Sequence, residues 1–181
     1  MDDPDNLLDV AFGTGAYALL FRLNNDYTGI KNLVLDVTFR YDLTLSHHQT
    51  VRVPDSVDNP LAPIESKENV KIDPGDIFEV ETEASYEFSK GWGVSLLYKY
   101  GSKSRDSVSG SKDLPYESLE DETDWTAHTV NAGLSYDTIA LFQEKKFPVP
   151  IKAEFNYENV FAGSNNTLQQ EIFSFSLVVY F

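Results

Sequence analysis

The 181-residue sequence predicts an all-β protein, an antiparallel up-and-down transmembrane β-barrel with about seven visible strands. Apolar and polar residues alternate with period two almost from end to end, whereas helical periodicity is nearly absent. The alternating segments run to roughly 11–14 residues, while strands of soluble proteins are typically five or six residues long. A strand that crosses a bilayer needs about 9–11 residues. Segment length therefore favours a membrane barrel.

Each alternating segment ends at a turn or at a polar stretch. Residues 24–26, 90–91 and 163–166 are rich in the Asn, Asp and Gly that tight turns prefer. Longer connections are expected over 54–75, which contains four prolines, and over 104–124, which is rich in Ser, Asp and Glu. A connection of intermediate length holds Lys145 and Lys146. The segments themselves are 10–23, 33–46, 77–89, 92–103, 125–137, 151–161 and 172–181.

Two architectures use strands of this kind, and they differ in which face is enclosed. A soluble lipocalin-like barrel encloses the apolar face, whereas a transmembrane barrel turns it toward lipid and encloses a polar lumen. Aromatic residues at the ends of the apolar faces favour the second, because Tyr and Trp collect at the lipid–water interface. The interface aromatics predicted on this ground are Tyr41, Tyr86, Trp92, Tyr100, Trp125, Tyr136 and Phe181.

The alternation of long and short connections predicts an orientation. If residue 181 lies at the periplasmic rim, the long stretches 54–75 and 104–124 are external and the turns at 24–29 and 90–91 are periplasmic. Bacterial single-chain barrels have even strand numbers. We therefore expect residues 1–181 to form a single barrel domain, the C-terminal part of a larger even-stranded barrel that lacks its N-terminal strands and signal peptide. The alternative is one missed strand at 68–72, a stretch that looks more like a hairpin extension above the membrane.

Composition narrows the possible functions. The chain has 29 acidic and 14 basic residues, a net charge of −15, and no cysteine. No basic surplus is available to neutralise phosphates, so nucleic acid is not an expected partner. A thiolate metal site, a cysteine nucleophile and a disulfide are excluded. The longest uninterrupted apolar run, 16–21, is far shorter than the roughly 20 residues of a membrane helix.

The polar face of the strands would line the lumen with an excess of acids. Nine carboxylates face inward in this interpretation, including Asp137, against four bases. Such an excess concentrates cations in an open lumen, whereas the same side chains in a closed lumen form stabilising ion-pair ladders. We expect Arg40 and Lys99, on the flanking strands, to pair with the acidic run of 79–87. The predicted lumen-lining residues are Arg22, Asp36, Arg40, Asp42, Glu79, Glu81, Glu83, Glu87, Lys99, Lys152, Glu154 and Glu158.

Other chemistry-bearing residues do not form a convincing site. His128 lies on the apolar face, where Ser102 or Ser104 could approach it, but no third group orients such a pair. His47 and His48 are adjacent and point to opposite faces, which suits a metal poorly. Acidic residues at 117–124 lack the spacing of a calcium loop. We expect no catalytic residues, no metal and no cofactor.

The C-terminal hairpin resembles a known family. Its sequence is FPVPIKAEFNYENVFAGSNNT from Phe147, followed by a strand that ends in SFSLVVYF. These residues resemble the last hairpin of the outer-membrane β-barrel family of meta-pathway phenol degradation transporters, which is distantly similar to the fatty-acid and toluene transporters. The resemblance covers roughly the last 35 residues and implies passage of small hydrophobic or aromatic compounds. The terminal Phe181 is similar to the signal read by the outer-membrane assembly machinery of Gram-negative bacteria.

The leading hypothesis is an outer-membrane channel or transporter for small solutes, with a cation-favouring lumen and no enzymatic activity. Its expected partners are outer-membrane lipid, lipopolysaccharide and the assembly machinery, with a protein partner or an oligomer also open. Two alternatives remain. One is a structural or partner-binding barrel with a closed lumen, and the other is a soluble lipocalin-like binding barrel.

Overall fold

The computed structural model describes residues 15–56, 62–165 and 167–180. It confirms the all-β class with antiparallel sheets. Ten strands occur in the described residues, with two short helices, α1 (Glu117–Glu120) and α2 (Ile139–Gln143), and a 3-10 turn at Ile64–Ser66. The strands are β1 (Ala18–Ile30), β2 (Leu33–Thr44), β3 (His47–Arg52), β4 (Lys67–Asp73), β5 (Ile77–Ser89), β6 (Trp92–Lys103), β7 (Ser107–Ser109), β8 (Trp125–Asp137), β9 (Ile151–Ser164) and β10 (Gln170–Val179).

Seven of these strands form one large sheet in the order β1-β2-β5-β6-β8-β9-β10. Neighbours in this sheet follow one another along the chain, apart from the strands of a second sheet, so the order is up-and-down. The predicted bounds of β5, β6 and β8 are confirmed to the residue. β8 pairs with β9 in antiparallel register with one irregularity between His128 and Thr129. β1 and β10 are the two edges of the sheet as described, and every residue in both strands is exposed.

The prediction for the first strand is wrong. Residues 24–26 do not form a turn but lie inside β1, and the turn to β2 falls at Lys31 and Asn32. Asn32 adopts a φ of 63°, a left-handed conformation that Asn tolerates better than most residues. Asn24 stays in the strand because its side-chain oxygen accepts hydrogen bonds from Arg22 and Thr38. The part of the predicted segment before residue 15 lies outside the described residues.

A second, three-stranded sheet has the order β3-β4-β7. β4 and β7 lie within the two stretches predicted to be long connections, and β3 precedes the first of them. β4 pairs antiparallel with β3, from His47 opposite Ile72 to Arg52 opposite Lys67. Residues 68–72 therefore belong to this smaller sheet and are not an additional strand of the large one.

The chain divides into two compact units. Among the described residues, the first unit contains 15–21, 41–78 and 102–125, and the second contains 22–40, 79–101 and 126–180. Val53, Val70 and Val108 form the core of the first unit, and they are the buried hydrophobic residues of the described chain. The described residues contain no helix of the length and hydropathy that would span a membrane.

The carboxylate of Glu68 organises the loop that follows β7. Its Oε1 accepts hydrogen bonds from the backbone N–H of Ser111 (2.5 Å), the hydroxyl of Ser111 (2.8 Å) and the backbone N–H of Lys112 (3.0 Å). Its Oε2 accepts one from the hydroxyl of Tyr116 at 2.5 Å. Tyr116 and then Ser111 and Lys112 stabilise the charged form, and they lower the pKa of Glu68 to about 2.

We expect Glu68→Gln to loosen the 110–116 loop, because the amide cannot accept all four hydrogen bonds. The lowered pKa means that the wild-type carboxylate stabilises the fold fully above about pH 4.5 and loses this effect as the pH falls toward 2. Hydrogen exchange at pH 6 should show about tenfold lower protection of the Ser111 and Lys112 amides in the variant. Glu65→Gln, at an exposed position, is the control. Equal protection in both variants would contradict the role given to Glu68.

Candidate functional site

On the inner strands β2 and β6 of the large sheet, the polar face is more buried than the apolar face. On β2 the apolar side chains of Leu35 and Phe39 are 36% and 43% exposed, whereas Thr38, on the opposite face, is 6% exposed. β6 repeats the pattern. Its exposed positions are Trp92, Val94, Leu96 and Tyr98, and the positions between them, Gly93, Ser95, Leu97 and Lys99, are half-buried. The more enclosed face is therefore the polar one, and the candidate site lies on it.

An ion-pair cluster connects three strands on the polar face. The Glu79 carboxylate on β5 lies 3.1 Å from Arg40 Nη1 on β2 and 2.9 Å from Lys99 Nζ on β6. Lys99 Nζ also lies 3.3 Å from Glu81 Oε1. The Glu79 side chain is 13% exposed, and the two bases give this enclosed carboxylate its ion-pair partners. The expected pairing of Arg40 and Lys99 with the acidic run is observed for Glu79 and Glu81.

A second polar cluster joins β1 to β2. Arg22 Nε donates to Asn24 Oδ1 at 2.9 Å, and Thr38 Oγ1 lies 3.1 Å from the same oxygen and 3.3 Å from Asp36 Oδ1. Asn24 and Thr38 were not among the predicted lumen-lining residues. Thr38 could have been found from its place between Asp36 and Arg40 on the polar face, whereas Asn24 was assigned to a turn.

A cavity of about 800 Å³ opens on the polar face within the second unit. Small residues form its wall on β6 and β8, because a Cβ on Gly133 would come within 2.5 Å of Ser95 Oγ and a Cβ on Gly93 within 2.8 Å of Ser135 Oγ. The side chains that line it include Thr28, Ile30, Lys31, Val34, Glu83, Ser85, Glu87, Ser95, Ser135, Asp137, Ile139, Ala140, Gln143, Glu154 and Asn156. Its volume lies in the range of small-molecule sites.

The four carboxylates of this cavity differ in their partners. Glu83 accepts a hydrogen bond from Ser85 (2.9 Å), and Glu87 accepts one from the backbone N–H of Gly91 (3.3 Å). Asp137 accepts one from the backbone N–H of Ile139 at 2.7 Å. Glu154 lies 2.7 Å from Lys152 Nζ and is thus the one of the four with an ion pair among the described residues.

The remaining predicted lumen residues are Asp42 on β2 and Glu158 on β9. Asp42 is 7% exposed and belongs to the first unit. Glu158 is half-buried on β9, opposite Asn131 of β8 and Ile172 of β10. The structure thus brings Arg40, Glu79, Glu81 and Lys99 together at one place, and Glu83, Glu87 and Glu154 at another.

The predicted interface aromatics are exposed or half-buried, and several contact one another. The rings of Trp92 and Tyr136 are 4.5 Å apart between centroids. Tyr41, Tyr86 and Trp92 are 40–46% exposed. Tyr100 and Trp125 are half-buried, and Phe181 lies outside the described residues.

Among the histidines of the described residues, His128 has aromatic partners, whereas the two ring nitrogens of His47 are buried without a hydrogen-bond partner. His128 Nδ1 is 2.7 Å from the Tyr98 hydroxyl, and its ring lies 5.0 Å from that of Tyr100. The Ser104 hydroxyl donates to the backbone oxygen of Asp76. His47 is half-buried and His48 exposed on β3. Within the described ranges, no group of three or more His, Asp or Glu side chains is arranged to hold a metal ion.

No protein-family model and no curated protein sequence matches the chain. The resemblance of the C-terminal hairpin to the phenol-degradation transporters therefore stays a prediction.

We expect Lys99→Met to destabilise the protein by about 1–2 kcal/mol, because Glu79 and Glu81 lose a shared cation. The loss stays below that of a fully buried pair, since the Lys99 side chain is 36% exposed. Urea-induced unfolding in detergent measures the change. Adding Glu81→Gln should recover part of the stability by removing one of the unbalanced carboxylates. Lys31→Met is the control, and an equal loss in this exposed position would contradict the role of the cluster.

Proposed function

We propose that this protein is an outer-membrane β-barrel channel for small solutes, with a lumen that favours cations. The observation that carries the proposal is the inverted burial of the large sheet. On β2 and β6 its apolar side chains point to the more exposed face, and the buried hydrophobic residues of the described chain all belong to the first unit. In water this arrangement leaves the hydrophobic effect unused over seven long strands. In lipid the same arrangement is favourable.

The exposed edges of the large sheet also support a membrane barrel. β1 and β10 extend over 13 and 10 residues with every residue exposed. Unpaired backbone N–H and C=O groups are costly in hydrocarbon, so a membrane sheet has to close on itself. In the proposed barrel the open edges of β1 and β10 are therefore paired with other strand edges.

The carboxylates of the cavity account for the proposed preference for cations. Glu83 and Glu87 form no ion pair among the described residues, Asp137 shares the charge of Lys152 with Glu154, and Lys31 is the one basic side chain of the cavity lining. Carboxylates without a basic partner, around a hydrated space with low-dielectric walls, raise the local concentration of cations. The resemblance of the C-terminal hairpin adds hydrophobic or aromatic bodies to the solute class, and Ile30, Val34 and Ile139 give the cavity apolar surface for them.

A second candidate is a structural barrel whose lumen is closed by side chains. The ion-pair cluster of Arg40, Glu79, Glu81 and Lys99 favours it, because cross-strand pairs of this kind also stabilise a barrel that conducts nothing. Single-channel recording decides between the two candidates. Steady conductance supports the channel, and its absence in a correctly folded protein supports the closed barrel.

We expect Leu96→Lys to impair folding into lipid vesicles, because a lysine near the middle of a membrane strand costs about 2–4 kcal/mol. Leu96 is 56% exposed on β6. Ile64→Lys is the matched control, since Ile64 is 67% exposed on the 3-10 turn of the first unit. Heat-modifiable migration in SDS gels reports the folded fraction. A water-soluble protein would tolerate both substitutions alike and stay in solution without detergent, which would favour the lipocalin-like reading.

We expect Glu83→Gln combined with Glu87→Gln to reduce the cation preference of the channel. The double variant removes two unpaired carboxylates from the cavity and keeps the size of both side chains. The reversal potential in a KCl gradient should move toward zero. Glu65→Gln with Glu117→Gln removes the same charge from the first unit and should leave the reversal potential unchanged. An unchanged potential in the cavity variant would contradict the selectivity given to these residues.

A further inference from the structure

We infer that α2 is a plug that narrows one end of the cavity and that the ion pair between Lys90 and Glu144 holds it there. α2 belongs to the connection between β8 and β9, and Ile139, Ala140 and Gln143 line the same cavity as the polar faces of β5, β6 and β8. This inference rests on the proposed function, since a plug matters only if solutes pass through the lumen.

The start of α2 is fixed to the ends of two strands. Asp137, the last residue of β8, accepts a hydrogen bond from the backbone N–H of Ile139 at 2.7 Å. Thr138 is fully buried, and its hydroxyl lies 2.9 Å from the backbone oxygen of Val149 and 2.8 Å from the backbone nitrogen of Ile151. These contacts hold the start of α2 against the ends of β8 and β9.

The backbone hydrogen bonds at the end of α2 stay within the same connection, and side chains join this end to the sheet. Lys90 Nζ, in the turn between β5 and β6, lies 3.0 Å and 2.9 Å from the two carboxylate oxygens of Glu144. Lys146 Nζ lies 2.8 Å from Glu144 Oε2, but it comes from the same connection. Of the two lysines, Lys90 is therefore the one that joins the helix to another part of the sheet.

This difference between the two ends defines the motion. The buried contacts of Thr138 hold the first end, whereas the ion pair at the second end is exposed to solvent, with side chains 65% and 42% exposed. Exposed ion pairs contribute little free energy and break readily. α2 can therefore swing away from the cavity about Thr138 when the Lys90–Glu144 pair breaks. Lys146 and then Lys90 lower the pKa of Glu144 to about 2, so the pair persists over the neutral and mildly acidic range.

The absence of cysteine makes a direct test possible. Ser95→Cys places a single thiol in the cavity wall. Its rate of modification by methyl methanethiosulfonate, a small uncharged reagent, is measured on the full chain folded in detergent, where no conduction is needed. Lys90→Met and Glu144→Gln, each added to this background, should raise the rate about two- to fivefold, the range expected for loss of one exposed ion pair.

Lys146→Met is the matched control, because it also removes a lysine bound to Glu144 but leaves the tie to the β5–β6 turn. It should leave the rate unchanged. An equal rise in Lys146→Met, or no rise in Lys90→Met, would overturn the inference. Raising the salt concentration to about 1 M should screen the pair and accelerate labelling of the chain that carries Ser95→Cys alone, which tests the tie without altering it. A constant rate in high salt would overturn the inference as well.

Single-channel recording of the same variants keeps this inference distinct from the proposed function. Faster labelling together with longer open times in Lys90→Met supports both the plug and the channel. Faster labelling with no conductance in any variant supports the placement of α2 over the cavity, overturns its role as a plug and contradicts the channel. Conductance that is unchanged from wild type to Lys90→Met supports the channel and overturns the plug.

Discussion

Side chains alternate across a β-strand, and in the large sheet this constraint sends nearly all charge to one face and most apolar surface to the other. The backbone hydrogen bonds of the sheet do not depend on which face is enclosed. The free energy of the side chains does depend on which face is enclosed. Enclosed charges need partners, and exposed apolar groups are more stable in a nonaqueous surrounding. Enclosure of the polar face therefore determines where ion pairs form, where the cavity lies and which solvent suits the outer surface.

The acidic run of β5 is neutralised over only part of its length. Glu79 and Glu81 contact Arg40 or Lys99, whereas Glu83 and Glu87 accept hydrogen bonds from Ser85 and Gly91 and line the cavity. Bases have long side chains that fill space, while Ser and Gly leave it open. The cavity and the unbalanced charge thus have one cause, which is the change from basic to small neighbours along β5.

Sequence patterns predicted the large sheet well because its signal is local. β5, β6 and β8 have uninterrupted alternation between clear turn residues, so their bounds agree with the structure. β1 was placed wrongly because Asn24 has the chemistry of a turn, whereas in the structure it is held in the strand by partners on its own strand and on β2. The smaller sheet was missed because its strands are short and its core joins valines from distant parts of the sequence. The pairing of Arg40 and Lys99 followed from strand adjacency alone.

The part that α2 plays could not be read from the sequence, since it depends on where a connection returns in space. A five-residue helix between two strands looks like an ordinary link. Its position against the cavity matters for the proposed passage of solutes. The ion-pair cluster lies on a different part of the polar face and does not fill the cavity. Arg40 and Lys99 stay 40% and 36% exposed, so water reaches the cluster and ions can pass beside it in the proposed channel. The cavity, by contrast, has a wall of small residues and no side-chain filling of its own. In the proposed channel, breaking the one exposed ion pair at the far end of this helix would be sufficient to change passage there, because little free energy is needed to break it.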